Sequence, residues 1–375
     1  MNSSVTIGAD DDLSVLRLIR SRRVGPATFH RLIAEHGSAR AALAALPDIA
    51  AQSGVSGYQI CPEGVAAAEL AAGQRAGAQL IRSNSPLYPP LLRDIDSAPA
   101  VLWVRGDARL LSAAVVAVIG ARNASSLGLR MARGMAAGLG EQGLVVAAGL
   151  ARGIDATAHA ASLATGTIAV MAGGIDVIYP AENAQLAAQI AEAGVLVSEQ
   201  PPGTEPTARH FPTRNRIVSG LSRAVVVIEA AQRSGTLITA KNALDQGREV
   251  MAVPGHPMDA RASGCNALIR DGATLVRNAA DVAEALEQAP QREFVTLTAP
   301  PPVRQVAPPP ALAAPLPAEL PLEDRILMQL TPSPTDENDL IRDLGAAASG
   351  VSAALLSLEL QGRITRLAGG RLALA

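Results

Sequence analysis

From residue 115 to residue 255, short apolar runs alternate with helix-length segments. The runs are VVAVIG (115–120), LVVAAG (144–149), TIAVMAG (167–173), GVLVSE (194–199), AVVVIEA (224–230) and EVMAVPG (249–255). They are apolar at consecutive positions instead of at every second one. A strand that alternates buries one face, whereas a strand that is apolar throughout buries both, as in a parallel sheet covered by helices on each side. The segments near 125–140, 154–164, 181–192 and 236–246 have the length and mixed polarity of those helices. The pattern predicts a doubly wound, Rossmann-like α/β domain with about five or six central strands and a binding site at their carboxyl ends. Gly120, Gly149, Gly173 and Gly255 stand at those ends.

The flanks have a different texture. Residues 12–47 predict short helices, with Val24-Gly25-Pro26 as a turn and Phe29, Leu32 and Ile33 as one apolar stripe. This suits a small module of helix-hairpin-helix or SAM-like kind; such hairpins can grip phosphates through turn amides, but a bare Val-Gly-Pro favours packing or dimerisation as its role. A proline-punctuated approach with one strand, VLWV, precedes the regular series. The organisation expected is a helical domain over 1–80, an extended Rossmann-fold domain over 81–290, a Pro/Ala-rich linker over 291–320 and a winged-helix-like domain over 321–375. The last domain holds seven acidic and five basic residues, and its would-be recognition helix SGVSAALLSLELQG has no Arg or Lys. A helix that reads DNA needs side chains that reach bases and phosphates, so this module is expected to contact protein or to be structural.

Composition narrows the classes. The chain has 375 residues, 49% hydrophobic and 18% charged, with a formal charge of -2. That balance excludes polyanion binding by global charge and leaves room for a local basic cleft. Of the 32 basic residues, 31 are Arg and one is Lys, Lys241, a skew that fits bidentate phosphate contacts and genomic composition equally. With three Phe, three Tyr and one Trp, a surface built of stacking rings is excluded. Cys61 and Cys265 make no metal or disulfide pattern, which fits a reducing, cytoplasmic compartment. The amino terminus has no charged start before an apolar core, and each long apolar run is soon broken, so neither export nor a membrane span is expected.

Three strand ends carry candidate chemistry. In VIGARNAS (118–125), Gly120 closes the first strand of the series, Arg122 can fork a phosphate, and Ser125 can cap the next helix, whose free amides attract phosphate. The stretch lacks GxGxxG spacing, which disfavours a nicotinamide or flavin site. In AGLARGIDATAHAAS (148–162), Gly149 and Gly153 permit close backbone approach, and Asp155 and His159 lie one turn apart. With no third ligand or nucleophile, a structural His–Asp hydrogen bond is expected there. Gly173 and Gly174 add a further anion or backbone contact. In EAAQRSGTLITAKNAL (229–244), Ser234, Gly235 and Thr236 form a nest for one phosphate, with Lys241 near enough to assist. No Walker sequence is present, so ATP hydrolysis is disfavoured.

FPTRNRIVSG (211–220) supplies the densest group, Arg214, Asn215 and Arg216, at an expected helix start. Cations oppose the dipole at a helix N-terminus, so an anion is expected beside them. Basic and amide-rich patches on several strand ends suit a phosphate backbone, with Phe211 stacking a base and Asn215 either bonding a base or tying down the loop.

GLARGIDATAHAASL, TIAVMAGGIDVIYPAEN, the long stretch FPTRNRIVSGLSRAVVVIEAAQRSGTLITAKNALDQGREVMAVPG and GCNALIRDGA together resemble the bacterial DNA-processing family DprA, also called Smf. The likeness runs in order across roughly residues 80–290, and the flanking modules are similar to those of longer members. It implies a cytoplasmic, non-catalytic binder of single-stranded DNA that protects the strand during natural transformation. It also implies loading of RecA recombinase, including where single-strand-binding protein is present, and dimerisation through the Rossmann domain. The family's Gly-x-Arg motif falls on Gly120 and Arg122, its Arg-Asn-Arg motif on Arg214, Asn215 and Arg216, and its Ser-Gly motif on Ser234 and Gly235. Some members carry a lysine before the third strand, where this chain has ATGTIAV; either Arg152 or another arginine substitutes for it, or each subunit binds more weakly. No cofactor or metal is implied. The alternative class is a nucleotide-binding, phosphoribohydrolase-like enzyme, although SGTLITA lacks the glutamate three residues after the threonine.

Overall fold

In the computed structural model, residues 11–288, 321–330, 335–367 and 371–374 are described. The expected linker, 291–320, lies outside them. The amino-terminal module is four helices, α1 (Asp12–Ile19), α2 (Pro26–His36), α3 (Ala39–Gln52) and α4 (Glu63–Arg75). Local signals set their ends: Asp11 caps α1 by accepting the Ser14 N–H at 2.6 Å, Pro26 opens α2, and Gly37 closes it at φ 77°. Phe29 and Leu32 of the predicted stripe are buried, and Ile33 packs beside them.

The central domain contains β1 (Gln79–Arg82), α5 (Pro90–Arg93), β2 (Val101–Gly106), β3 (Val115–Ile119), α6 (Ser126–Glu141), β4 (Val145–Ala148), α7 (Ile154–Ser162), β5 (Thr167–Val170), α8 (Ala184–Ala193), β6 (Val195–Ser198) and α9 (His210–Gly220). It continues through β7 (Ala224–Val227), α10 (Thr236–Asp245), β8 (Glu249–Ala252), α11 (Ser263–Arg270), β9 (Thr274–Leu275) and α12 (Ala279–Gln288). The sheet order is β1-β2-β6-β5-β4-β3-β7-β8-β9. Every pairing from β6 across to β9 is parallel, and β2 and β1 add an antiparallel edge. The six predicted runs are six of these strands. The sheet exceeds expectation at its margins, where β1 and the two-residue β9 are too short and too mixed to announce themselves.

Both faces of the sheet are covered, as the continuous apolar runs require. Along β3, Val115, Ala117 and Ile119 enter one core, while Val116 and Val118 enter the opposite one. The helical module is fastened to the antiparallel edge through buried Trp103 on β2, whose indole N–H donates to Glu69 of α4 at 3.0 Å. Arg20 completes that carboxylate's shell at 2.9 Å.

The carboxyl-terminal domain is α13 (Leu322–Gln329), β10 (Thr335–Asp336), α14 (Glu337–Leu344), α15 (Ala348–Gln361), β11 (Ile364–Arg366) and β12 (Arg371–Leu374), a winged-helix order. Val351, Leu355 and Leu358 of α15 enter its own core, whereas Leu356 and Leu360 on the other side join the core of the amino-terminal module. A helix apolar on both sides is buried on both sides. Ion pairs frame the contact: Arg31 meets Glu359 at 2.6 Å, Arg366 meets Glu359 at 2.9 Å and Glu337 at 2.6 Å, and Arg23 donates to the Leu360 carbonyl. The expected recognition helix therefore makes a protein contact, and its partner is the chain's own first domain.

Candidate functional site

A cleft of about 820 Å³ opens at the carboxyl ends of β3, β4 and β7. The turn after β3 contributes Gly120 and Arg122, the turn after β4 contributes Gly149, α9 contributes Phe211, Arg214 and Asn215, and the turn after β7 contributes Ser234, Gly235 and Thr236. Its walls carry four arginines, Arg122, Arg214, Arg233 and Arg261, against one aspartate, Asp155. A chain with net charge -2 thus concentrates positive charge where the sheet order reverses.

The arginine-rich stretch does not sit where the sequence suggests. Helix α9 begins at His210, so Arg214 and Arg216 lie in its body and the dipole argument for an anion at their side does not apply. Arg214 is 7% exposed, and its Nη1 donates to the Val170 carbonyl at 2.9 Å. The guanidinium lies directly on Gly149, where a Cβ would fall 1.5 Å from Nη1, so glycine is obligatory there while Arg214 keeps its place. Burial pulls the Arg214 pKa down to about 10, which leaves it a cation at neutral pH. Arg216 points elsewhere: its Nη2 donates to both carboxylate oxygens of Glu199, at 2.7 and 2.6 Å, and it is not among the residues lining the cleft.

Phe211 is held between Arg122, whose guanidinium carbon is 5.2 Å from the ring centre, and Tyr179, edge-on at 5.6 Å. It lines both the main cleft and an adjoining side pocket of about 300 Å³ that includes Arg152 and Tyr179. Arg152 pairs with Glu182 at 2.6 Å and reaches only this side pocket. Lys241 is exposed on α10 and lines neither cavity.

The turn expected as a phosphate nest is largely bonded internally. The Thr236 N–H donates to Ser234 Oγ at 3.2 Å, Ser234 Oγ–H donates to Thr236 Oγ1 at 3.0 Å, and Thr236 Oγ1–H donates to the Gly120 carbonyl at 3.1 Å. These bonds fasten α10 to the end of β3. Gly173 and Gly174 pack against the 201–206 loop, with the Gly174 N–H donating to the Thr204 carbonyl at 2.8 Å, and they do not line the cleft. Ser125 caps α6 as expected, taking the Gly128 N–H at 2.9 Å. A side chain, Glu229, instead of an open seat, occupies the space beside that cap, accepting the Ser125 N–H at 2.8 Å.

Asp155 and His159 do not bond each other. Asp155 Oδ2 accepts the N–H of Gly149 at 3.0 Å and of Ala151 at 3.4 Å, shaping the β4–α7 turn. Burial raises its pKa, opposed by the charge of Arg214 and by these two amides. His159 Nδ1 lies 2.7 Å from Thr167 Oγ1, whose own hydrogen goes to the Val146 carbonyl, so the imidazole carries its hydrogen on Nδ1 and donates it. Both side chains are thus bonded within the fold, Asp155 to the β4–α7 turn and His159 to β5. Among the described residues no cluster of at least three His, Cys, Asp or Glu is placed to hold a metal ion, and no helix is long and apolar enough to cross a membrane.

Arg233, Arg261, Asn123 and Tyr179 belong to the site without having been anticipated. Arg233 and Arg261 do carry a sequence signal, since each follows an apolar run, β7 or β8, at the end of the sheet where ligands bind. Tyr179 carries none, because folding of the segment after β5 alone brings it to Phe211.

The family model for DNA recombination-mediator protein A matches residues 79–287, that for the DprA-like N-terminal HHH domain residues 9–72, and that for the DprA winged helix domain residues 307–370. The DNA processing protein DprA of Bacillus subtilis is 45% identical over 222 residues, 58% of this chain and 75% of that protein. The Smf protein of Escherichia coli is 38% identical over 301 residues, 78% of this chain and 76% of that protein. Among solved structures, DprA of Streptococcus pneumoniae superposes with a TM-score of 0.61 at 32% identity, covering 73% of this chain and 98% of its own. DprA of Helicobacter pylori, solved to explain its single-stranded DNA binding mode, gives 0.52 at 26% identity, covering 56% and 97%.

Proposed function

The chain belongs to the DprA (Smf) family, and from that premise we propose that its cleft binds single-stranded DNA without chemical conversion of the strand. The observation that carries this reading is the cluster of four arginines around one aspartate at the sheet's switch point, in a chain of otherwise balanced charge. Guanidinium groups bind phosphate oxygens in pairs, and a single ring, Phe211, offers a sequence-tolerant face for a base. Asn215 faces the same space and suits a base edge. The residues assigned to the strand are Gly120, Arg122, Gly149, Phe211, Arg214, Asn215 and the 234–236 turn, with Arg152 at the side pocket and Arg233 and Arg261 added. Arg216 serves them indirectly by anchoring α9, and Lys241 meets only a strand that leaves the cleft.

In this reading the protein acts in the cytoplasm during natural transformation, protects incoming DNA and helps RecA recombinase load onto it, including where single-strand-binding protein is present. It works as a homodimer through the Rossmann domain, so that a long strand engages two clefts and gains affinity through effective concentration. The test is a titration of single-stranded against duplex DNA of equal length, with the mass of the complex measured alongside. Preference for the single strand, growing with length in a two-to-one complex, is expected; equal affinity for duplex refutes the reading. Release of free base from a nucleoside monophosphate would instead establish the enzyme class.

A further inference from the structure

In open doubly wound sheets, the phosphate of a nucleotide rests on the N-terminus of the helix that follows the first core strand, where the strand order reverses. Here that reversal lies between β3 and β7, and the helix is α6. Its N-terminus already holds an anion that belongs to the chain. Glu229, just beyond β7, places Oε2 2.8 Å from the Ser125 nitrogen and accepts its hydrogen. Gly128 makes room for it: a Cβ there would lie 2.6 Å from Oε2 and 3.1 Å from the carboxyl carbon. The Glu229 carbonyl accepts the Ala121 N–H at 2.7 Å, fixing the residue to the β3–α6 turn. Its Oε1 faces Arg261 Nε at 3.7 Å, and its side chain is only 9% exposed. Three independent features thus build one arrangement: a buried carboxylate, a glycine that admits it and a backbone bond that holds it.

We infer that Glu229 is a specificity-determining residue, a built-in anion that keeps the phosphates of free nucleotides off α6. A nucleotide phosphate arriving there would have to displace the carboxylate from the Ser125 amide or lie against a like charge. The arginines that line the cleft for a ligand are Arg122, Arg233 and Arg261, the last also paired with Asp259 at 3.2 Å, and separate side chains of this kind suit successive phosphates of a strand. The cleft can then hold a polymer in the presence of a large pool of monomers. This inference rests on the strand-binding reading above and adds a discrimination to it. It also gives a structural reason why a Rossmann-like sheet here departs from the nucleotide-binding alternative.

The test uses the full chain with Glu229→Gln, which removes the charge and keeps an oxygen for the Ser125 N–H, and Glu229→Ala, which empties the seat. ATP and inorganic tripolyphosphate are titrated directly by calorimetry and as competitors of a labelled strand. Wild type should bind neither probe appreciably at millimolar concentration, and its strand affinity should not respond to ATP. In Glu229→Ala the nucleotide affinity should rise about tenfold or more, the scale of a helix-terminus charge interaction, with a smaller rise in Glu229→Gln. ATP should then compete with the strand in the variants alone. Variants with native thermal melting and wild-type nucleotide affinity overturn the inference, as does a wild type that binds ATP as tightly as they do. Should Glu229→Ala fail to fold, the isosteric Glu229→Gln decides. A wild type that binds no strand defeats the strand-binding reading, while the nucleotide titrations still judge Glu229.

Discussion

The arginines of the cleft and the arginine of the ion pair should answer salt differently. Arg122, Arg233 and Arg261 are exposed on the cleft wall, where the solvent-exposed pair of Arg261 with Asp259 at 3.2 Å is open to displacement by phosphate; Arg214 lies beneath the wall, and Arg216 is neutralised by Glu199 in a pair only 13% and 14% exposed. If each of the four lining arginines neutralises one phosphate of a single strand, the logarithmic salt slope is about -2.8, at roughly 0.7 per contact. Affinity then falls about 50-fold between roughly 50 and 200 mM salt. Replacing Arg122, Arg233 or Arg261 by Gln should bring the slope to about -2.1 and the fall to about 20-fold. Arg216→Gln should leave the slope unchanged and instead cost about 3 kcal/mol of stability, because it strands the Glu199 carboxylate in a mostly buried place. Anisotropy titrations of a labelled oligothymidine over a salt series, paired with urea melts, separate the two effects. A slope reduced by Arg216→Gln as much as by Arg233→Gln, or slopes untouched by all three cleft variants, would falsify the assignment of phosphate contacts.

Two further outcomes are expected. His159 is held neutral, its pKa lowered by burial and by the charge of Arg214 from 6.5 to about 3. Below the unfolded value the unfolded chain takes up a proton that the folded chain refuses, so this contribution is complete above that value and is lost as pH falls toward the folded one. At about pH 5 the loss is about 2 kcal/mol, and His159→Gln should flatten that part of the urea-measured stability profile; parallel profiles count against it. Glu359→Gln should weaken the seat of the winged-helix domain on α2, with about 2 kcal/mol lost from charge-assisted hydrogen bonds and faster amide exchange in α2; unchanged exchange shows that the ion pairs do not hold the domains together.

The sequence by itself determined the class of fold and the edge of the sheet that carries the site. Continuous apolar runs such as VVAVIG and AVVVIEA are short, rich in β-branched residues and separated by helix-length segments, which makes them strands buried on both faces and fixes where their carboxyl ends and glycines gather. The motifs around Gly120, Gly149 and Ser234 follow from the same logic, and all three reach the cleft. What the residues could not tell was the job of each charge. Arg214 and Arg216 differ by two positions on one helix, yet one lies against Gly149 beneath the cleft and the other is bound to Glu199 outside it. Residues two apart on a helix point about 200° apart around its axis, so the partner of each depends on elements distant in the chain. Glu229 shows the same limit: its place after an apolar run names no partner for it, and only the pairing of β7 with β3 carries it to the start of α6. Patterns of burial are local enough to be legible, whereas the meeting of a charge with its partner is decided by topology.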